Sequence, residues 1–330
     1  MEPLAPIPAR PLPVSGVAPG KCIVFGEHAV VHGAPELLLA IDLTTQAVVR
    51  PSPDGTTRLN AEPEALARHA YFREAVARGW SGGVPVEVRT VSRIPRAAGL
   101  GSSAAFSAAL AAAFAAATGG CSRAELAQRA FDIERGAQRV GSPGDTSASV
   151  AGGLVSVNGG SGAPLWTVRD ADRSWEFRRV EDPGWVWVVA YSGVARSTAD
   201  AVRAVAERLS APDGERLLSE FASVGHDGIG AVGRGDRARV AELMRRNQEL
   251  LVEVGVSHTR LEALLRAAAP AAEAAKITGA GRGGSIVALP VPGQEIDLTR
   301  RLARAGALPF VVRPARDGAS LVEPSAGSEA

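Results

Sequence analysis

The chain reads as an α+β protein, with strands and helices mixed along the sequence instead of alternating as regular units. Three observations predict this. Apolar runs of strand length occur in both halves: Ile23–Phe25 and Leu154–Val157 early, Trp185–Tyr191 and Ser285–Leu289 late. Between them lie longer segments of helical character, among them the alanine-rich stretch from Ser103 to Thr118 and the stretch from Arg237 to Val254. Glycine-rich loops join the two kinds of segment at 95–101 and 279–284.

The elements follow in order. Residues 21–25 form a strand that stops at Gly26, and a second strand holds Val48 and Val49 and ends at Pro51. Leu66, Ala70, Phe72 and Val76 give 61–78 the spacing of a helix. Val84, Val86 and Val88 alternate with polar residues, as in a half-buried strand running to Val91. The loop from Pro95 to Gly101 opens onto the alanine-rich helix, which stops at Gly119-Gly120. A helix over about 123–139 is broken by Gly141, Pro143 and Gly144. A short helix at 147–150 ends at Gly152-Gly153, the strand 154–157 follows, and 158–183 read as a hairpin and a connection. The domain boundary falls just before Trp185. It separates an N-terminal domain (18–183) from a C-terminal one (184–323), with a loose proline-rich tail at 1–17 and a frayed one at 324–330. The second domain reads as a strand (185–191), helices (199–209, 218–230, 237–254, 259–268), a strand (276–278), a glycine loop, a strand (285–289), a helix (298–305) and a strand (309–313).

At 330 residues the chain suits one large domain or two of medium size. A net charge of +1 leaves no field to draw in nucleic acid or anionic lipid, so neither is expected as a partner, and a phosphate must be held by local design. Cys22 and Cys121 make neither a disulfide framework nor a zinc site, so a reducing, cytoplasmic location is the expectation. The most apolar stretch falls short of the roughly 20 residues of a membrane span. The N-terminus lacks the apolar centre of a signal peptide.

Pro95-Arg96-Ala97-Ala98-Gly99-Leu100-Gly101-Ser102-Ser103-Ala104 is the strongest phosphate-loop candidate. Glycines let backbone approach a ligand, and the first amides of the following helix favour an anion. Ser102 or Ser103 is expected to cap that helix. A serine there can also ligate magnesium. The same loop, and Gly279-Ala280-Gly281-Arg282-Gly283-Gly284, both match the glycine spacing of a dinucleotide fold, but neither has the acid closing a second strand about 20 residues on. A Walker loop and the protein-kinase motifs are absent.

The order of three segments is more specific than either loop. Lys21-Cys22-Ile23-Val24-Phe25-Gly26-Glu27-His28-Ala29-Val30-Val31-His32-Gly33 resembles the first signature of the mevalonate kinase branch of the GHMP small-molecule kinases. Pro95 to Ala104 resembles the family's nucleotide loop, and Lys276 to Gly284 its third motif. The resemblance runs from about Ala18 to about Arg313. It implies a two-domain GHMP fold, ribosomal-protein-S5-like in the N-terminal domain and ferredoxin-like in the C-terminal one. It also implies ATP and Mg2+ as cofactors, and phosphorylation of the 5-hydroxyl of (R)-mevalonate in isoprenoid biosynthesis.

Site residues follow from the same resemblance. Asp145, in Ser142-Pro143-Gly144-Asp145-Thr146, is similar to the catalytic aspartate, although an aspartate there could simply cap a helix. Lys21 is similar to the lysine that stands beside that aspartate. Ser103 and Glu134 match the magnesium ligands. Pro95, Ala98, Gly99, Leu100, Gly101, Ser102, Ser103 and Ala104 are expected around the nucleotide phosphates. Glu27, His28, Arg196, Thr198, Thr278, Gly279 and Ala280 are expected around the acceptor, with Arg196 suited to a carboxylate. His32 reads as structural, Lys276 has no assigned role, and Arg282 could touch a phosphate or face water. Arg282 and Ser285 depart from the family's commonest pattern.

An alcohol near pKa 15.7 and a free aspartate near 3.9 differ by roughly 12 units, or ~16 kcal/mol, so full deprotonation cannot come first. The proton should leave late, in a loose transition state, to an aspartate that orients the hydroxyl. Two alternatives stay open: another GHMP kinase acting on phosphomevalonate, the 3-hydroxyl of mevalonate, homoserine or a sugar, and a non-catalytic sensor of the same fold. A homodimer is also left open.

Overall fold

The computed structural model describes residues 4–139, 141–171, 173–195 and 198–323. The N-terminal part contains strands β1 (Val14–Phe25), β2 (Glu36–Pro51), β3 (Arg58–Leu59), β4 (Val86–Ser92), β5 (Leu154–Val157), β6 (Pro164–Asp170) and β7 (Arg173–Val180). Its helices are α1 (Ala65–Arg68), α2 (Ala70–Gly79), α3 (Ser102–Ala117), α4 (Arg123–Gln138) and α5 (Gly144–Ala151). The C-terminal part has β8 (Trp187–Tyr191), α6 (Thr198–Leu209), α7 (Gly214–Gly233), α8 (Arg237–Glu253), α9 (Thr259–Ala268), β9 (Ala272–Thr278), β10 (Ser285–Pro290), α10 (Glu295–Arg304), β11 (Leu308–Val312) and β12 (Ser320–Val322).

Two sheets result. The first runs β12-β1-β2-β5-β7-β6, with β4 also on β2 and β3 beside β4; the second runs β11-β8-β10-β9 and is antiparallel throughout. β2 is the spine of the first sheet. It pairs with β1 along most of its length, with β5 through Glu36–Leu39 and with β4 through Thr45–Pro51. Both faces of its first half are covered, so Leu37–Ile41 are all buried and show no alternation. Sequence reading therefore found only the second half of this strand.

Helix α3 is alanine-rich because it lies nearly backbone to backbone on β1. A β carbon on Gly16 would stand 2.1 Å from the carbonyl oxygen of Ala109. Helix α4 starts at a capping box, in which Ser122 and Glu125 each hold the other's backbone amide. The expected 61–78 helix divides at His69, whose extended backbone and Nδ1, accepting from Phe72 N at 3.1 Å, start α2 afresh. Neither Ser102 nor Ser103 caps α3: Gly101 occupies the cap with φ 74° and no side-chain bond.

The tail expected at 1–17 is not loose over its described residues. Ile7 is buried and exchanges backbone hydrogen bonds with Cys121 at 2.9 and 3.0 Å, and β1 begins at Val14. Apolar anchors among the prolines hold this segment down. Residues 324–330 lie outside the described residues. The 184–323 segment does not stay in one sheet, because β12 returns to pair with β1 at Ser15–Val17. One continuous core, including Phe25, Leu37, Trp187, Phe221 and Leu250, joins the two sheets.

Candidate active site

The site forms where strand ends and helix starts from both sheets meet. Strand β1 delivers Lys21, and the turn after it delivers Glu27 and His28. Gly26 makes that turn with φ 91°; a β carbon on it would stand 2.3 Å from Pro35 O. The start of α5 brings Asp145, the second half of α4 brings Glu134 and Gln138, and the start of α3 brings Ser103.

Lys21 Nζ lies 2.8 Å from Asp145 Oδ1. The lysine side chain is 1% exposed and the aspartate 36%, so a buried ammonium holds a carboxylate that still faces open space. Asp145 lies inside the first turn of α5, and Pro143, not Asp145, stands at the cap. The phosphate-loop candidate sits directly on the lysine: Lys21 N donates to Leu100 O at 3.0 Å, and a β carbon on Gly101 would lie 2.8 Å from Lys21 Cγ. Ser285 Oγ, a departure from the family pattern, donates to Ala98 O at 2.7 Å and ties this loop to β10.

Ser103 Oγ donates to Glu134 Oε1 at 2.8 Å. Gln138 Nε2 donates to the same oxygen at 3.0 Å and to Tyr71 OH at 2.5 Å. Burial first, and then the charge of Asp145, push the Glu134 carboxyl up to about 7. It is an acid that a nearby cation would ionise. Deeper down, Lys276 Nζ is bound to Glu27 Oε1 and donates to Ile277 O at 2.7 Å. Both side chains are fully buried, and burial raises the Glu27 carboxyl and lowers the Lys276 ammonium.

Two cavities meet at Asp145 and Gln138, which line both. The larger, about 560 Å³, is lined by Gly99, Gly101, Ser102 and Ser103 and also by Leu59, Asn60, Thr90 and Phe106. The smaller, about 170 Å³, is lined by Lys21, Glu27, His28, Glu36, Gly279 and Ala280 among others. The arrangement can hold a polyanion in the first cavity and aim a small alcohol from the second at its end.

Several expected residues take other places. Pro95, Ala98, Leu100 and Ala104 line neither cavity; Ala98, Leu100 and Ala104 are packed behind the loop. The Thr278 hydroxyl accepts from Ile23 N at 2.7 Å and donates to Ile23 O at 3.0 Å, so both of its capacities go to the β1 backbone. Arg282 is exposed, its Nε donating to Gly255 O at 3.2 Å, and lines neither cavity. Arg196 and the side chain of Thr198 lie outside the described residues. Sequence reasoning missed Glu36, Tyr71, Gln138 and the Lys276–Glu27 pair. For Glu36 a signal existed, since a lone acid heads the apolar run Leu37–Ile41.

Among the described residues no helix is long and apolar enough to cross a membrane. None of their His, Cys, Asp and Glu side chains form a group of three or more that could hold a metal ion.

Family models for the GHMP kinases match the chain twice, the N-terminal domain model at 65–153 and the C-terminal model at 229–308. The chain is 33% identical to the mevalonate kinase of Methanothermobacter thermautotrophicus, over 88% of this chain and 94% of that one. It is 34% identical to the mevalonate kinase of Archaeoglobus fulgidus, over 82% and 90%. The fold is shared with the mevalonate kinase of L. major solved in complex with R-mevalonate (TM-score 0.77, 23% identity, 96% of this chain and 100% of that one). It is shared also with that of Methanococcus jannaschii (TM-score 0.75, 21% identity, 93% and 100%).

Proposed function

We propose that this chain, which belongs to the GHMP kinase family, transfers the terminal phosphoryl group of ATP to the 5-hydroxyl of (R)-mevalonate. The observation that carries the reading is the Lys21–Asp145 pair at 2.8 Å, standing where the two cavities meet. The larger cavity takes the nucleotide, with its phosphates on the loop at Gly99–Ser103. The smaller takes mevalonate, between Glu27, His28 and the backbone at Gly279–Ala280.

Asp145 orients the hydroxyl and accepts its proton late in the transfer. Lys21 fixes that carboxylate and places a positive charge beside the migrating phosphoryl group. Its burial keeps the ammonium from swinging away from the carboxylate. Ser103 and Glu134 are the residues that would hold magnesium. They fit it: their oxygens are hard donors and lie 2.8 Å apart. Two protein oxygens are a normal share for this ion, whose other positions go to phosphate and water. When bound, magnesium supplies charge neutralisation across the phosphates. Arg196 is proposed for the mevalonate carboxylate, with Thr198 beside it, on their place in the sequence.

The test is turnover with ATP and Mg2+ over a panel of mevalonate, phosphomevalonate, homoserine and galactose, with the product read by phosphorus NMR. The reading predicts turnover of mevalonate and a phosphorus signal split by a neighbouring methylene group. An unsplit ester signal, as from the tertiary 3-hydroxyl, or turnover confined to another acceptor, would contradict it.

A further inference from the structure

Charge pairing around the acceptor cavity leaves two acids over, Glu134 and Glu36. Lys21 is bound to Asp145, Lys276 to Glu27, and Arg135 to Asp170. Glu134 is held by Ser103 and Gln138. Glu36, at the head of β2, is 2% exposed and lines the same cavity, and its buried Oε2 has no hydrogen-bond partner among the described residues. That oxygen lies 2.6 Å from where a β carbon on Gly144 would stand, which sets the carboxyl beside the start of α5 and next to Asp145. Buried polar groups are nearly always partnered, and an exception in a residue that lines a cavity points to a missing ligand.

We propose that Glu36 is a specificity-determining residue, whose carboxyl hydrogen-bonds a second hydroxyl of the acceptor, distinct from the one that Asp145 orients. Burial and the nearby Asp145 charge hold the Glu36 carboxyl well above the usual range, which favours its protonated form, the form that can donate an O–H. A neutral hydroxyl suits this place, because Lys21 and Lys276 are already paired with Asp145 and Glu27 and leave no unpaired cation there for a carboxylate among the described residues. The bond gives the acceptor chain a second point of attachment, which favours acceptors that carry a hydroxyl at that position.

The inference rests on mevalonate as the acceptor. Wild-type turnover tests that reading alone, and the comparison among variants tests Glu36. Acceptor KM and kcat are measured for the wild type, Glu36→Gln, Glu36→Ala and Glu36→Leu, with mevalonate and with its analogue lacking the 3-hydroxyl. Binding of an ATP analogue shows for each variant that the nucleotide cleft is intact. With mevalonate, Glu36→Ala and Glu36→Leu should raise KM by about tenfold or more, with kcat changed by less than about threefold. Glu36→Gln, which still donates, should stay within about threefold. With the deoxy analogue all four should agree within about threefold, because the partner is gone from both sides. A mevalonate KM unmoved by Glu36→Ala and Glu36→Leu, an equal rise on both acceptors, or a Gln variant as poor as the Ala variant would overturn the proposal.

Discussion

Glu134 is tuned by its surroundings in a way that can be measured. Its carboxyl stands at about 7 against an ordinary 4.5, mainly through burial. The folded protein therefore holds this proton more tightly than the unfolded chain does. The group's contribution to stability is full below about 4.5 and is lost as pH rises to about 7. Binding of magnesium nucleotide needs the ionised form, so it should release a proton in that window and tighten as pH rises through it. Calorimetry at about pH 6 in two buffers of different ionisation heat should show more protons released by the wild type than by Glu134→Gln, with affinity about tenfold or more weaker in the variant. Equal proton release by the two would remove Glu134 from the metal site. At this scale the sequence was most informative where one residue carries its own local context: Asp145 after Ser-Pro-Gly, Ser103 after Gly-Leu-Gly. It was least informative where partners are far apart in the chain. Lys276 and Glu27 are separated by 249 positions, and nothing local marks them as a pair.

At the scale of elements, Thr278 shows how a residue in a signature can serve the frame of the site instead of the ligand. Its hydroxyl is spent on Ile23 N and O, where β1 changes register between Ile23 and Phe25 and needs outside partners for its backbone. Thr278→Val should cost about 1–3 kcal/mol of stability by urea unfolding while leaving acceptor KM within about threefold. A large KM increase without loss of stability would restore Thr278 to the acceptor pocket. Elements with a self-contained signal were legible: α3 from its alanines, α4 from the break at Gly141, Pro143 and Gly144 that follows it, and β10 from its apolar run. The first half of β2 was not, because a strand covered on both faces has no alternation to read. Nor was β12, whose three residues are defined by pairing with β1 and not by their own composition.

At the scale of the molecule, the two sheets cannot be treated as separable parts. The Thr278–Ile23 bonds, the Lys276–Glu27 pair and a shared core cross between them, and β12 brings the end of the C-terminal part back into the first sheet. The chain should therefore unfold in urea as one unit. Tryptophan fluorescence, from Trp166 and Trp175 on the first sheet and Trp187 on the second, should give the same midpoint as far-UV circular dichroism; two resolved transitions would show independent domains. This joining matters for chemistry, because it lets a strand of one sheet hold Lys21 rigidly against an acid brought by α5, at the mouth shared by two cavities. The most direct test of that convergence is the turnover number of Asp145→Asn with saturating ATP and mevalonate, alongside the affinities of both substrates. We predict a fall of about 10²–10⁴ in turnover with both affinities largely kept. Turnover within about threefold of the unchanged enzyme would contradict the assignment of Asp145 to the reacting hydroxyl.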